Sequence, residues 1–382
     1  MIAKPAASAV IERLLRQAAT APGIIGLAGG LPAESLFPRS HLARSFLRAM
    51  GKAHATALQY GWPEGAAGLR RFIATRARAR GLRVAADDVI VTNGAQQAIA
   101  IALQMIARRG DALAVDAETY PAALDLFRLQ GLIPQASSVG VVGAYVMPAV
   151  SNPRGRSMTA AERQALLATG VAIIEDDAYA GLRFSGPAPP SLGRDAPDRV
   201  FHVGTLSKVL CPGLRVGWLI PPRAYRDRAV ELKQGADLQA GGLAQAIVED
   251  YLTGGHGWSR GQGVDFDARL LRLRAFYRRR AEVLARALRR HAPRWTFDFP
   301  EGGFALWVST DARVNEARLL AAAVGEGVSF DVGSPFQVER GAATSTAIRL
   351  CFSSAPRDGL EEGVRRLVRA FGRVARVTRG QN

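Results

Sequence analysis

Lysine is the residue this chain nearly does without. Of its 50 basic residues only Lys4, Lys52, Lys208 and Lys233 are lysine, the rest being arginine. Arginine stays protonated in proteins, whereas a lysine amine can lose its proton and attack a carbonyl. Three of the four read as solvated surface lysines, and Lys208 is the exception. Cysteine is as sparse. Cys211 and Cys351 are the two, too few for a disulfide framework, and Cys211, with no histidine near it, reads as a small hydrophobe. There is no zinc-finger spacing, and no metal is expected. No apolar run approaches the roughly 18 residues of a membrane span, and the N-terminus has no signal-peptide core. The expectation is a soluble cytoplasmic protein with no membrane partner.

Acidic residues are also in short supply, 33 against 50 basic, for a net charge of +17. Such an excess invites a nucleic-acid reading. Against it, the arginines are spread along helix-like segments (Arg13 to Arg16, Arg70 to Arg83, Arg269 to Arg290). With no basic tail and no aromatic–basic interleaving, no nucleic-acid partner is expected. A chain of 382 residues, 48% apolar and with 40 glycines, fits an α/β protein of two domains, or of one large domain with a smaller satellite.

What is present centres on residues 203–217, VGTLSKVLCPGLRVG. Lys208 lies between two apolar, strand-like runs, FHVGTL and GLRVGWLI, which half-bury it. Thr205 precedes it, and Arg215 follows after a turn of Pro212 and Gly213. Upstream, residues 1–20 have helical periodicity, with Val10, Ile11, Leu14 and Leu15 on one face. The loop GIIGLAGGLPAESLFP carries Gly29 and Gly30, which give backbone freedom or close approach to a ligand. Tyr60 sits in a loop before an amphipathic helix that starts near Gly65. The segment DDVIVTNGAQQAIAIALQMIARRGDALAVD reads strand, turn, helix, strand. Its turn, Asn93 to Gln96, offers free backbone N–H groups at a helix start, a natural anion site. Tyr120 follows the next strand. Asn152–Pro153–Arg154–Gly155 is a turn, and Thr159 with Glu162 forms a capping box for a helix over 159–169.

The run VAIIEDDAYAGLRF delivers Asp176, Asp177 and Tyr179 at a strand's carboxyl end, where open parallel sheets bind ligands. Asp177 points to the other face and reads as structural. Residues 224–290 read as helices interrupted by TGGHGWSRGQG, a surface loop in which His256 is exposed. A smaller α/β unit follows: strands in WTFDFPEGGFALWVST, the helix NEARLLAAAVGEG, then VSFDVGSPF. The chain closes on AIRLCFSSAPRDGLEEGVRRLVRAF, a strand and a helix. Arg349, between Ile348 and Leu350, calls for an anionic partner, because unpaired burial is costly.

In order along nearly the whole chain, seven of these segments resemble the fold-type-I pyridoxal phosphate (PLP) enzymes, the class I/II aminotransferases. They are most similar to the 2-aminoadipate/kynurenine aminotransferase (MocR-like) subgroup. The resemblance implies a large PLP-binding domain with a mainly parallel sheet flanked by helices, over 45–265. A small α/β domain would comprise 1–44 and 266–382. It implies that Lys208 carries PLP as an aldimine and moves the α-proton. Asp176 would keep the pyridine nitrogen protonated, with Tyr179 on the cofactor's O3′ and Tyr120 stacked on its ring. Gly94, Ala95, Gln96, Thr205 and Arg215 would hold the phosphate, together with Tyr60 from a neighbouring subunit, which implies a homodimer with shared sites. Asn152 would bond O3′ and join Arg349 on the substrate carboxylate, with Gly30 beside the substrate. Side-chain specificity would lie around Gly29, Trp218 and the entrance helix.

The implied reaction moves the amino group of an α-amino acid to a 2-oxo acid, 2-oxoglutarate by expectation. Lyase, decarboxylase or amino-acid oxidase chemistry on the same fold is the alternative, since the cofactor contacts are shared. A transcriptional regulator is the other alternative, and the chain, starting at the aminotransferase region, leaves no room for a DNA-binding domain. The chain departs from the family at 131–148, where relatives place a further turn and helix. That loss is expected to thin the outside of the large domain.

Overall fold

The computed structural model describes residues 21–51, 57–254, 265–339 and 345–379. The helix expected within residues 1–20 and the loop around His256 lie outside them. Two sheets organise the rest. The larger has seven strands in the order β2-β8-β7-β6-β5-β3-β4: β2 (Ile90–Thr92), β3 (Ala112–Val115), β4 (Ile133–Gln135), β5 (Gly143–Val146), β6 (Ala172–Asp176), β7 (Val200–Thr205) and β8 (Gly217–Ile220). All pair in parallel except β8, antiparallel to both its neighbours. Short apolar runs buried on both faces are what a parallel sheet between helix layers requires.

The helices come between the strands: α1 (Arg39–Ala49), α2 (Ala67–Ala79), α3 (Ala95–Ile106), α4 (Pro121–Leu129), α5 (Ala160–Ala168), α6 (Arg226–Asp237) and α7 (Gly242–Thr253). The capping box of α5 is in place, with Thr159 accepting from the Glu162 N–H and Glu162 reaching back to Thr159. The β4–β5 crossover, residues 136–142, contains no helix. Val139 there is 80% exposed and Ile133 on β4 54%, so this edge is thin on the outside, as the shortened sequence leads one to expect.

The smaller sheet has the order β1-β11-β12-β10-β9. It is built from β1 (Ile25–Leu27), β9 (Thr296–Phe297), β10 (Ala305–Ser309), β11 (Val328–Val332) and β12 (Ala347–Cys351). Here β1, from the start of the described chain, pairs in parallel with β11. The 26-residue α8 (Phe266–His291) links the two sheets, burying Leu270, Leu273, Tyr277, Leu284 and Leu288 at helical spacing. Helices α9 (Glu316–Gly325) and α10 (Gly359–Arg379) cover the smaller sheet. One hydrophobic cluster runs through both units. Among the described residues no helix is long and apolar enough to cross a membrane.

Leu284 is fully buried on the connecting helix α8. Leu284→Ala is expected to cost about 2–5 kcal/mol, the usual range for a buried leucine truncation. Chemical denaturation read by circular dichroism checks it.

Candidate active site

Strand ends and one helix start converge between the two sheets. Lys208 follows β7, which ends at Thr205, and its amine is buried against aromatic faces. Nζ stands 5.4 Å from the centroid of Tyr179 and 5.9 Å from that of Phe304. Among the described residues its one hydrogen bond goes to the Gly30 carbonyl at 3.4 Å. Burial holds the amine below its ordinary pKa, so more of it is free base than in water, as a nucleophile or proton acceptor needs.

Asp176 ends β6. The Tyr145 hydroxyl donates to its Oδ2 at 2.7 Å, and the Ala178 N–H donates to Oδ1 at 3.0 Å. Burial pushes its pKa up, and these donors act in the opposite direction. A buried carboxylate with donors but no ion-pair partner among the described residues suits an arriving cationic N–H. Tyr179 is buried edge-on to Phe304, its hydroxyl pushed up in pKa by that burial. Tyr120 caps the start of α4 just past β3, half-buried, with Lys208, Tyr179 and Asp176 among the groups acting on it.

The anion end lies at the start of α3. Gly94 adopts φ 83°, a conformation open to glycine, and the N–H groups of Ala95 and Gln96 have no partner among the described residues. The Gln96 side chain instead donates to the Ala122 carbonyl at 2.7 Å, so it is its backbone that faces the turn. Arg215, itself left-handed at φ 53°, lays Nη2 3.3 Å from the Asn93 carbonyl. Thr205 Oγ1 lies 3.0 Å from Ser207 Oγ and accepts the Ser207 N–H at 3.1 Å. Free helix-start donors, paired hydroxyls and a guanidinium form a phosphate-type cradle.

At the other end Arg349 is buried on β12. Its Nε and Nη2 donate to Asp331 Oδ2 at 3.0 and 2.8 Å, and Nη1 donates to Asn152 Oδ1 at 2.8 Å. Burial opposes its charge, yet Asp331 holds its pKa above the ordinary value. Three of its five N–H donors are thus committed, and two remain for a ligand. Gly30 adjoins it, with its N–H on Cys351 Sγ at 3.2 Å. Burial pushes the Cys351 thiol up to about 12, so it stays protonated and unreactive.

The structure therefore brings Lys208, Asp176, Tyr179, Tyr120, Asn152, Arg349 and Gly30 to one place, with Gly94, Ala95, Gln96, Thr205 and Arg215 at its anion end. Tyr60 is the exception: it is 78% exposed and its hydroxyl has no partner among the described residues. Trp218 is elsewhere too, ringed over Gly204 on β7. Asp177 does point away, onto Arg80 and His202. Sequence reasoning missed Tyr145, Ser207 and Asp331. Asp331 had a signal, since an acid interrupts VSFDV at mid-strand, but its register opposite Arg349 is invisible in one dimension.

The model of the family "Aminotransferase class I and II" matches residues 35–367. The chain belongs to this family. The 2-aminoadipate transaminase of Thermus thermophilus is 33% identical over 92% of this chain and 90% of its own length. An aromatic-amino-acid aminotransferase of Thermococcus litoralis is 30% identical over 94% of this chain and 90% of its own. Among solved structures, LysN, the α-aminoadipate aminotransferase of Thermus thermophilus complexed with N-(5′-phosphopyridoxyl)-L-leucine, superposes with a TM-score of 0.84. It is 31% identical, with 97% of each chain covered. The fold is thus that of the PLP-dependent aminotransferases, as the sequence motifs imply.

The contacts of Asp176 and Arg349 can each be tested by one substitution. Tyr145→Phe removes a donor that favours ionised Asp176, so its pKa rises and a smaller share is charged at any given pH. The acid limb of the kcat profile is expected to move to higher pH, read by steady-state rates across pH. Asp331→Asn keeps the shape but drops the charge that orients Arg349. The expected outcome is a KM for the amino acid raised about tenfold, of the order of one charge-assisted hydrogen bond, with kcat changed less.

Proposed function

We propose that the protein is a PLP-dependent aminotransferase that moves the amino group of an α-amino acid to a 2-oxo acid, with 2-oxoglutarate as the acceptor. The observation that carries this is the buried Lys208 amine, held below its ordinary pKa with only a carbonyl for a partner, between an anion cradle and the carboxyl-binding Arg349. When bound, PLP supplies the carbonyl that takes up the substrate amine and the electron sink for the α-carbon.

The residues then divide the work. Lys208 Nζ would hold the cofactor and would move the proton at the substrate's α-carbon. Asp176, steadied by Tyr145, keeps a proton on the cofactor's ring nitrogen. Tyr179 and Asn152 would donate to its O3′, and Tyr120 would stack on its ring. Gly94, Ala95 and Gln96 through their N–H groups, Thr205 and Ser207 through their hydroxyls, and Arg215 hold its phosphate. Arg349, set by Asp331 and Asn152, grips the substrate α-carboxylate beside Gly30. Arg349 is the one cation among the described residues lining the small cavity at Gly302, Gly303 and Phe304, which supports a donor with an uncharged side chain.

We read 45–265 as the large domain and 1–44 with 266–382 as the small one, with the substrate at their seam. A homodimer fits the surface. Leu47, Leu58, Tyr60 and Trp62 are all more than 60% exposed, apolar area that a partner subunit would cover. Tyr60 would then complete the partner's phosphate cradle. Two free cysteines accord with a cytoplasmic location.

Lys208→Ala is expected to lower turnover by at least about 10²-fold, the least that losing a general base costs. It should also abolish the visible absorbance of lysine-bound PLP. Turnover retained in this variant would sink the assignment. A panel of amino acids added singly to the holoenzyme should convert that absorbance to the ultraviolet band of pyridoxamine phosphate, and release of ammonia instead would mean lyase or oxidase chemistry.

A further inference from the structure

Lys233, which the sequence presents as a solvated surface lysine, is fully buried on α6. Its Nζ pairs with Asp237 Oδ1, one turn further on at the end of that helix. An i,i+4 pair on a solvated helix face contributes little. This one is different, because a buried amine is costly to leave without its partner. Burial draws the Lys233 amine below its ordinary pKa, and Asp237 acts in the opposite direction. One oxygen of Asp237 is thereby pinned, since the carboxylate cannot swing to solvent without stranding that amine.

The other oxygen reaches the start of α3. Asn93 Nδ2 and Gln97 Nε2 donate to Asp237 Oδ2 at 2.5 and 2.7 Å. Backbone donors on their oxygens settle how both amides point. Asn93 Oδ1 accepts the Gly241 N–H at 3.4 Å, and Gln97 Oε1 accepts the Asn93 N–H at 2.8 Å. The two side chains thus bracket Ala95 and Gln96, whose N–H groups are the free donors of the anion cradle. Strand β8 backs the same turn: a Cβ on Gly217 would lie 2.7 Å from the Ala95 nitrogen. The turn rests on a strand and is fastened at both ends to one carboxylate.

A strained residue sits directly behind that carboxylate. Leu238 has φ 62° and ψ −56°, a region in which a leucine is strained. Its side chain is 53% exposed, so its own packing does not account for the strain. The Gln239 N–H donates to the Asp237 carbonyl at 2.7 Å, closing a γ-turn. This reversal ends α6 at Asp237 and returns the Gly241 N–H to Asn93.

We propose that Asp237, pinned by Lys233, is the positioning residue of the phosphate cradle. It fastens Asn93 and Gln97 so that the Ala95 and Gln96 N–H groups converge on one anion before the cofactor arrives. Donors fixed in advance lose little entropy when a ligand binds. The proposal rests on the reading of this turn as the phosphate end of the PLP site.

The test is titration of the cofactor-free full chain with PLP and with pyridoxal, which lacks the phosphate. The wild type should bind PLP more tightly than pyridoxal. Asp237→Asn should weaken PLP about ten-fold, of the order of one charge-assisted hydrogen bond, and leave pyridoxal unchanged. Gln97→Ala removes one of the two fastenings and leaves Lys233 paired, so it tests the same point without stranding a buried amine. It should weaken PLP about three-fold, again with pyridoxal unchanged. At saturating PLP both variants should keep the wild-type KM for the amino acid. Equal losses of PLP and pyridoxal in Gln97→Ala, or PLP binding that both variants leave intact, would overturn the positioning role alone. A wild type that binds PLP no more tightly than pyridoxal would overturn the cradle, and the proposal with it.

Discussion

The period of two along β6 is the constraint on which the placement of this molecule's buried carboxylates rests. Successive residues of a strand must face opposite ways, so Asp176 is turned away from the face that Glu175 and Asp177 share. Asp176 meets Tyr145 and the cofactor side. Glu175 takes the Ser191 hydroxyl and the Leu192 N–H, and Asp177 takes Arg80 and His202. Three adjacent carboxylates would repel one another if gathered on one face. With Asp176 turned away, only Glu175 and Asp177 are neighbours on one face, and the donors on each offset their burial.

A second dependence runs across the small sheet. Arg349 and Asp331 are register partners on antiparallel strands, and Asp331 also accepts the Gly29 N–H at 3.1 and 3.0 Å on its two oxygens. One carboxylate thereby ties the glycine loop to the guanidinium proposed to grip the substrate. The pair is almost fully buried, where the low dielectric makes each contact matter more than at the surface. The guanidinium is held in one orientation, so little entropy remains to be lost when a carboxylate binds it.

Much of the site was legible because its residues announce themselves locally. A lysine in an arginine-rich chain, a glycine turn opening a helix, an acidic pair closing an apolar strand and an arginine inside one are all anomalies over a few residues. Their order along the chain supplied the family. Tyr145, Asp331 and the His202 pair were not legible, because their meaning lies in pairing. Asp331 meets Gly29 across a separation of 302 residues, and Asn152 meets Arg349 across 197. A tyrosine within an apolar strand reads as packing until its hydroxyl is seen to end on a carboxylate. Trp218 read as lying near the specificity loops, and β8 places its ring over Gly204.

By itself the sequence determined which residues could do chemistry and the order in which the strands deliver them, since residue type and local periodicity are properties of short stretches. It also determined the thin edge at 136–142, where there is too little chain for a helix. Tertiary structure alone decided which donor meets which carboxylate and how many of Arg349's hydrogen bonds remain free among the described residues. The reason is physical. Hydrogen bonds and burial depend on distances between strands brought together from far apart in the chain, and register, which sets those distances, is fixed only when the sheets close.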